Sequence, residues 1–143
     1  MIIIYTDGAC SGNPGVGGWG AIILENTKKP ILLNGGEENT TNNRMELSAA
    51  INAISYFQTK QDLKIYTDSK YLKDGIQSWI NKWKLNNWKT SAKKPVKNKD
   101  LWLKLDVEIS RHNIEWNWVK GHAENIYNEK ADALARKYIE EKN

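Results

Sequence analysis

The sequence is poor in cysteine, with Cys10 as the single one among 143 residues. One cysteine cannot form an internal disulfide or build a zinc cluster, which favours a reducing compartment. Apolar runs long enough to span a bilayer are missing, as is a charged and then apolar leader. These absences argue against export and membrane insertion, and they predict a cytoplasmic protein with no membrane partner.

Linkers and low-complexity segments are also missing from the chain. A length of 143 residues is enough for one compact domain with a proper core and too short for two of ordinary size. We therefore expect a single domain over residues 1–143.

Acidic residues are absent from one long stretch, Gly75 to Lys99, which contains seven lysines. The rest of the chain has 14 Lys and Arg (21 minus 7) against 17 Asp and Glu, so the net charge of +4 is concentrated here. A basic patch on a mildly acidic body predicts a polyanionic partner.

Tryptophans alternate with these lysines over residues 79–102. Lysines neutralise phosphates while flat aromatic rings pack against sugars or bases, so the combination suits nucleic acid. The alternative is a solvated lysine face over tryptophans of the core. We expect both: the lysines bind, and Trp79, Trp83 and Trp102 are partly structural.

A short sequence repeat links two parts of the chain. An apolar strand over Ile2 to Ile4 leads to Asp7, and the same Ile-Tyr-Thr-Asp letters recur before Asp68. If the two strands are parallel neighbours, both acids emerge at one edge of the sheet, where open α/β sheets place their ligands. Two adjacent carboxylates repel, which predicts a cation between them. Alone, Asp7 is more typical of a turn cap.

Glycines crowd the segment after Asp7, at Gly12, Gly15, Gly17 and Gly18. The segment lacks the spacing of a phosphate-binding loop, so a flexible hairpin turn and backbone amides that approach a phosphate stay equally open. Two antiparallel strands are expected next, over Trp19 to Leu24 and Ile31 to Leu33.

Three further acidic or basic groups are expected near this edge. A helix starting near Asn43 carries Glu46, which by itself is more typical of a capping glutamate than of a ligand. A strand over Ile114 to Val119 leads to a loop with His122, and a C-terminal helix carries Asp132 in its first turns. The other histidine, His112, is expected to be solvent-exposed.

Six motifs in order then carry a resemblance: TDGACSGNPG, TNNRMEL, YTDS, the basic tryptophan segment, WVKGHA and NEKADALA. Together they closely resemble ribonuclease H of type 1, in the bacterial form with a basic protrusion. The resemblance implies an α/β fold with a five-stranded mixed sheet, three antiparallel strands and then two parallel ones, with helices on both faces.

In that family the matching acids hold two Mg²⁺ ions, with Mn²⁺ as a possible substitute, and cleave the RNA strand of an RNA/DNA hybrid. The acids that match are Asp7, Glu46, Asp68 and Asp132. His122 matches a residue that assists proton transfer or product departure. Nothing in the sequence demands more than a monomer, so we expect a monomer with no obligate protein partner.

Substrate contacts follow from the same resemblance. Those that match contacts of the hybrid are Gly8, Asn13, Thr41, Asn42, Asn43 and Lys70. The lysine and tryptophan pattern adds Trp79, Lys82, Trp83, Lys84 and Trp102 from the protrusion (residues 79–102). Asn13 and Thr41 match a pocket for a phosphate of the DNA strand. The chain departs from the family pattern at Lys70, often glutamine, and after Ala123, where a glycine is usual.

Two alternative functions compete with this one. One is a non-catalytic nucleic-acid-binding module of the same fold, which the four mutually repelling acids disfavour. The other is a related phosphoryl-transfer enzyme, such as a transposase core or a sugar-kinase-like ATPase. The chain offers no nucleotide-binding loop for it.

Overall fold

The computed structural model describes residues 1–120 and 125–142. Its strands form one mixed sheet in the order β3-β2-β1-β4-β5. They are β1 (Ile2–Cys10), β2 (Gly15–Glu25), β3 (Ile31–Thr40), β4 (Asp62–Thr67) and β5 (Asn113–Trp118). The first three are antiparallel, and β4 and β5 run parallel to β1, which confirms the predicted sheet.

The helices are α1 (Asn42–Ser55), α2 (Lys70–Asp74), α3 (Ile80–Leu85), α4 (Lys99–Ser110) and α5 (Ile126–Lys142). A π-helical turn, Gly75–Trp79, joins α2 to α3. Within the described ranges, no helix combines the length and the apolar character that crossing a bilayer would require.

The repeated letters of β1 and β4 lie in register. Ile4 pairs with Ile65 and Tyr5 with Tyr66, so the parallel pairing brings the two copies of the repeat side by side. The expectation that β1 ends at Asp7 is wrong, because β1 continues its antiparallel ladder with β2, where Asp7 pairs with Gly20. By contrast, β4 ends at Thr67, directly before Asp68.

The glycine-rich segment is mostly strand, which corrects the predicted loop. A Cβ atom on Gly18 would collide with the carbonyl oxygen of Ala135 in α5, and one on Gly17 would lie 2.9 Å from Met45 Cγ in α1. Successive residues of a strand point to opposite faces. The absent side chains therefore let α1 and α5 approach β2 closely from opposite sides of the sheet.

The main core lies between the sheet and the face formed by α1 and α4. Fully buried apolar side chains dominate it, among them Ile4, Ile23, Leu47, Leu63, Ile65, Trp102 and Leu105. His112, which follows α4, is 6% exposed, and the Gln61 N–H donates to its Nδ1 at 3.1 Å. The expectation of an exposed His112 is therefore wrong, because this hydrogen bond holds the ring under the loop before β4.

Candidate active site

Three carboxylates meet at the edge of the sheet that the Ile-Tyr-Thr-Asp repeat predicts. One oxygen each of Asp7, Glu46 and Asp68 lies within 4.8 Å of the others. Asp7 is 4% exposed and Glu46 5% exposed, while Asp68 is half-buried in the turn after β4. A strand, a helix and a turn that are far apart in sequence thus supply one acidic cluster.

The helix that carries Glu46 into the cluster, α1, begins one residue before the predicted start near Asn43. The Thr41 side chain caps the helix by accepting a hydrogen bond from the Arg44 N–H at 3.3 Å. Asn43 is therefore not the cap, and Glu46 is the fifth residue of the helix, beyond the capping position. A Cβ atom on Gly8 would lie 2.5 Å from the Glu46 nitrogen, so the missing side chain of Gly8 lets α1 approach β1.

The electrostatics of the cluster favour a cation. Burial, followed by the charges of Asp68 and Asp132, raises the pKa of Asp7 to about 8. Burial, followed by the charges of Asp7 and Asp68, raises the pKa of Glu46 well above its ordinary range. Glu46 Oε1 is buried and has no hydrogen-bond partner among the residues that the structure describes. Oxygen ligands crowded in this way fit a hard divalent cation such as Mg²⁺.

Asp132 lies at the margin of this cluster, in the second turn of α5. Its charge and a hydrogen bond with Asp7 help to raise the pKa of Asp7. Its other partner is Arg136, whose Nε donates to Asp132 Oδ2 at 2.8 Å. The structure therefore brings all four predicted acids to one place, with Asp132 outside the group of three that share the 4.8 Å limit. His122 lies outside the described residues.

A cavity opens beside the acids, and several of the predicted substrate contacts line it. Its walls are Asp7, Gly8, Asn42, Asn43, Glu46, Asp68, Ser69, Lys70 and Tyr71. Asn13 reaches the same region, because its Oδ1 accepts a hydrogen bond from the Asn42 N–H at 3.2 Å. Tyr71 had no signal in the sequence, and Ser69, which also caps α2, was not among the predicted contacts.

Indole rings fill the base of the protrusion (residues 79–102). Trp83 lies between three others, with ring centroids 5.8 Å from Trp79, 6.0 Å from Trp88 and 5.4 Å from Trp102. Trp102 is fully buried, and its Nε1 donates to the Tyr71 hydroxyl at 3.0 Å. The prediction that Trp102 contacts the substrate is therefore wrong, because its ring belongs to the core.

The predicted lysine contacts differ in their surroundings. Lys82 and Lys70 are exposed. Lys84 Nζ lies 2.8 Å from Asp106 Oδ1 of α4, so part of its charge is already neutralised within the protein. Trp79 and Trp83 are half-buried and pack against the core, which leaves part of each ring accessible.

Comparison with known proteins agrees with this architecture. The family model described as RNase H matches residues 1–140. "Ribonuclease H" of Francisella tularensis subsp. novicida (strain U112) is 59% identical over 141 residues, covering 98% of this chain and 91% of the relative. "Ribonuclease H" of Francisella philomiragia subsp. philomiragia is 59% identical over 140 residues, with the same two coverages.

Solved structures show the same fold. LC9-RNase H1, described as a type 1 RNase H with the type 2 active-site motif, matches with a TM-score of 0.85 and 30% identity over 99% of this chain and 73% of that one. LC11-RNase H1, solved in complex with an RNA/DNA hybrid, matches with a TM-score of 0.76 and 22% identity over 99% of both chains. The chain belongs to the ribonuclease H family, whose members are metal-dependent endoribonucleases.

Proposed function

We propose that this chain hydrolyses the RNA strand of RNA/DNA hybrids and leaves 3'-hydroxyl and 5'-phosphate ends. The observation that carries the proposal is the cluster of Asp7, Glu46 and Asp68, buried or half-buried within 4.8 Å beside an open cavity. The structural similarity to LC11-RNase H1, which was solved in complex with an RNA/DNA hybrid, supports this substrate class.

The proposed cofactor is a pair of Mg²⁺ ions, with Mn²⁺ as a possible substitute, held by Asp7, Glu46, Asp68 and Asp132. When bound, such ions activate a water molecule and stabilise the leaving 3'-oxygen of an in-line displacement. Asp7 would be the central ligand of this set, because its carboxylate interacts with those of Glu46, Asp68 and Asp132. Asp7 and Glu46 are buried, which restricts the positions that their carboxylates can take.

The cavity residues are proposed to recognise the hybrid. Amide groups of Asn42 and Asn43 and the backbone at Gly8 can bond 2'-hydroxyls in a minor groove, which only the RNA strand offers. Asn13 and Thr41 are proposed to grip a phosphate of the DNA strand. The Asn13 to Asn42 hydrogen bond supports this, since it joins both groups of contacts.

Outside the cavity, the protrusion (residues 79–102) is proposed to bind the hybrid through Trp79, Lys82, Trp83 and Lys84. Its lysines suit phosphates because their charge releases counterions from the duplex. Lys70 adds a further cation at the rim of the cavity. His122 is proposed to assist proton transfer or product departure.

We further propose that the enzyme acts as a monomer in the cytoplasm, without an obligate protein partner. A single cysteine fits a reducing compartment, and the acidic cluster is assembled from one chain.

Incubation with labelled hybrid, duplex RNA and duplex DNA, each with Mg²⁺ or EDTA, tests the proposal. We expect cleavage confined to the RNA of the hybrid and abolished by EDTA and by Asp7→Asn. Asp62→Asn, an exposed acid at the opposite end of β4, is the control and should retain activity. Hybrid binding without cleavage by the unmodified protein would instead support the non-catalytic module.

A further inference from the structure

A second cavity, of about 300 Å³, adjoins the acidic cluster on the side away from Asn42 and Asn43. Its lining is Asp68, Ser69, Lys70, Lys73, Trp118, Val119 and Lys120. Three of these residues, Asp68, Ser69 and Lys70, also line the first cavity. The two cavities therefore meet at one carboxylate of the cluster.

The fold fixes the walls of this lysine cavity. The Val119 N–H donates to the Thr67 carbonyl oxygen at 2.9 Å, which extends the pairing of β5 with β4 and places Lys120 beside Asp68. Trp118 is half-buried and stacks on Trp116, with ring centroids 5.6 Å apart and an interplanar angle of 3°. The indole wall is thus held by the sheet.

Charge in the cavity is predominantly positive. Three lysines face one carboxylate, and none of the three forms an ion pair with any residue in 1–120 or 125–142. Ammonium groups around a flat indole suit a phosphate next to a sugar or a base. The chemistry of the site is that of a single nucleotide in a strand.

We propose that the lysine cavity binds the nucleotide of the RNA strand next to the scissile bond. Lys73 and Lys120 pair with its phosphate, and Trp118 packs against its sugar or base. This inference rests on the proposed function, since a strand whose scissile phosphate lies at Asp7 and Asp68 continues directly into the cavity. Binding here holds the cut strand on the acids, separately from the protrusion, which holds the duplex.

The test uses a hybrid with one cleavable position and a series of neutral methylphosphonate linkages, one per substrate, on either side of the scissile bond. Substrates are cleaved by the unmodified protein, by Lys73→Ala/Lys120→Ala, and by the control Lys29→Ala/Lys60→Ala. The control removes the same charge away from the cavity, because Lys29 precedes β3 and Lys60 precedes β4.

With the charged substrate, the paired cavity variant should lose about tenfold or more in kcat/KM relative to the control. With the unmodified protein, one neutral linkage next to the scissile bond should lower kcat/KM by a similar factor. With the cavity variant, the same linkage should lower kcat/KM less than twofold. If each neutral linkage lowered kcat/KM equally in the unmodified protein and in the cavity variant, at every position, the inference would be overturned. No cleavage by the unmodified protein would overturn the proposed function itself.

Discussion

Arg44 and Asp100 form a two-point ion pair between the starts of α1 and α4. The two terminal nitrogens of the guanidinium donate to the two carboxylate oxygens at 3.0 and 2.9 Å, and Nη1 also donates to Asn98 Oδ1 at 3.3 Å. Glu46 lies two residues after Arg44 on the same helix. The pair therefore ties the helix that supplies a ligand to the end of the protrusion.

Asp100→Asn should lower the free energy of unfolding at pH 7 by about 0.5 to 1 kcal/mol, since the Asp100 side chain is 58% exposed. Arg44 holds the pKa of Asp100 below its usual value, so the pair stabilises the fold above about pH 4. That stability is lost as the pH falls through the pKa of the folded protein. Urea unfolding at pH 7 and at pH 2 measures this, and an equal difference at both would contradict it.

Asp7→Asn should nearly abolish turnover and should stabilise the protein in EDTA. The pKa of Asp7 is raised to about 8, so the folded protein keeps this proton while the unfolded chain releases it near pH 4. Without metal, the stability that the protonated Asp7 contributes is fully present below pH 4 and is lost as the pH rises toward 8. Each pKa unit corresponds to about 1.4 kcal/mol, so the variant should gain a few kcal/mol at pH 8.

Thermal unfolding in EDTA across pH 4 to 8 measures this trend. Asp62→Asn is the control, and its unfolding should follow the unmodified protein. If Asp7→Asn showed the same decline with pH as the unmodified protein, the carboxyl of Asp7 would not be its source. Retained turnover would remove Asp7 from the mechanism.

Local patterns in the sequence could predict the pairing of β1 with β4, because the Ile-Tyr-Thr-Asp repeat contains both the apolar residues and the acid. Glu46 and Asp132 could not be predicted from their own surroundings, since an acid in an early helical turn usually stabilises the helix end. They became candidates only through the order of all the motifs. The close approach of α1 at Gly8 then explains why Glu46 faces the site.

Other features depend on contacts between distant residues and had no local signal. In sequence, the glycines of β2 are typical of a loop. They lie in a strand against which α5, more than 100 residues later, packs its backbone at Gly18. Trp102 stands in a lysine-rich segment that resembles a surface, yet its ring is enclosed by Gly75, Tyr71 and Trp83. Burial of this kind is decided by tertiary packing.

Trp102→Ala should cost about 3 to 5 kcal/mol of unfolding free energy, because it empties a fully buried site. Trp102→Phe should cost less and should leave KM for a hybrid unchanged well below the melting temperature. Denaturant unfolding and steady-state kinetics measure the two effects. If Trp102→Phe raised KM several-fold at unchanged stability, Trp102 would be a substrate contact after all.

Lys82→Ala should weaken hybrid binding more than Lys84→Ala. Lys82 is exposed, whereas Lys84 is already paired with Asp106 at 2.8 Å. Each lost phosphate contact lowers the slope of log affinity against log salt by about 0.9, so Lys82→Ala should show most of this change. Binding of the hybrid in EDTA at 50 to 200 mM salt measures both slopes, with Lys29→Ala as the control. Equal slopes for Lys82→Ala and the control would exclude a phosphate contact.

His112→Asn should reduce the sensitivity of the fold to acid. Burial, followed by the charge of Arg111, lowers the pKa of His112, so the folded protein holds a neutral ring whose Nδ1 accepts from Gln61. The stability that this neutral ring contributes is present above pH 6.5 and is lost as the pH falls below 6.5 toward the lowered pKa of the folded protein. Between pH 7 and pH 5 the unmodified protein should therefore lose stability relative to the variant, as measured by urea unfolding. A constant difference over this range would mean that His112 takes up its proton equally well in the folded and unfolded protein.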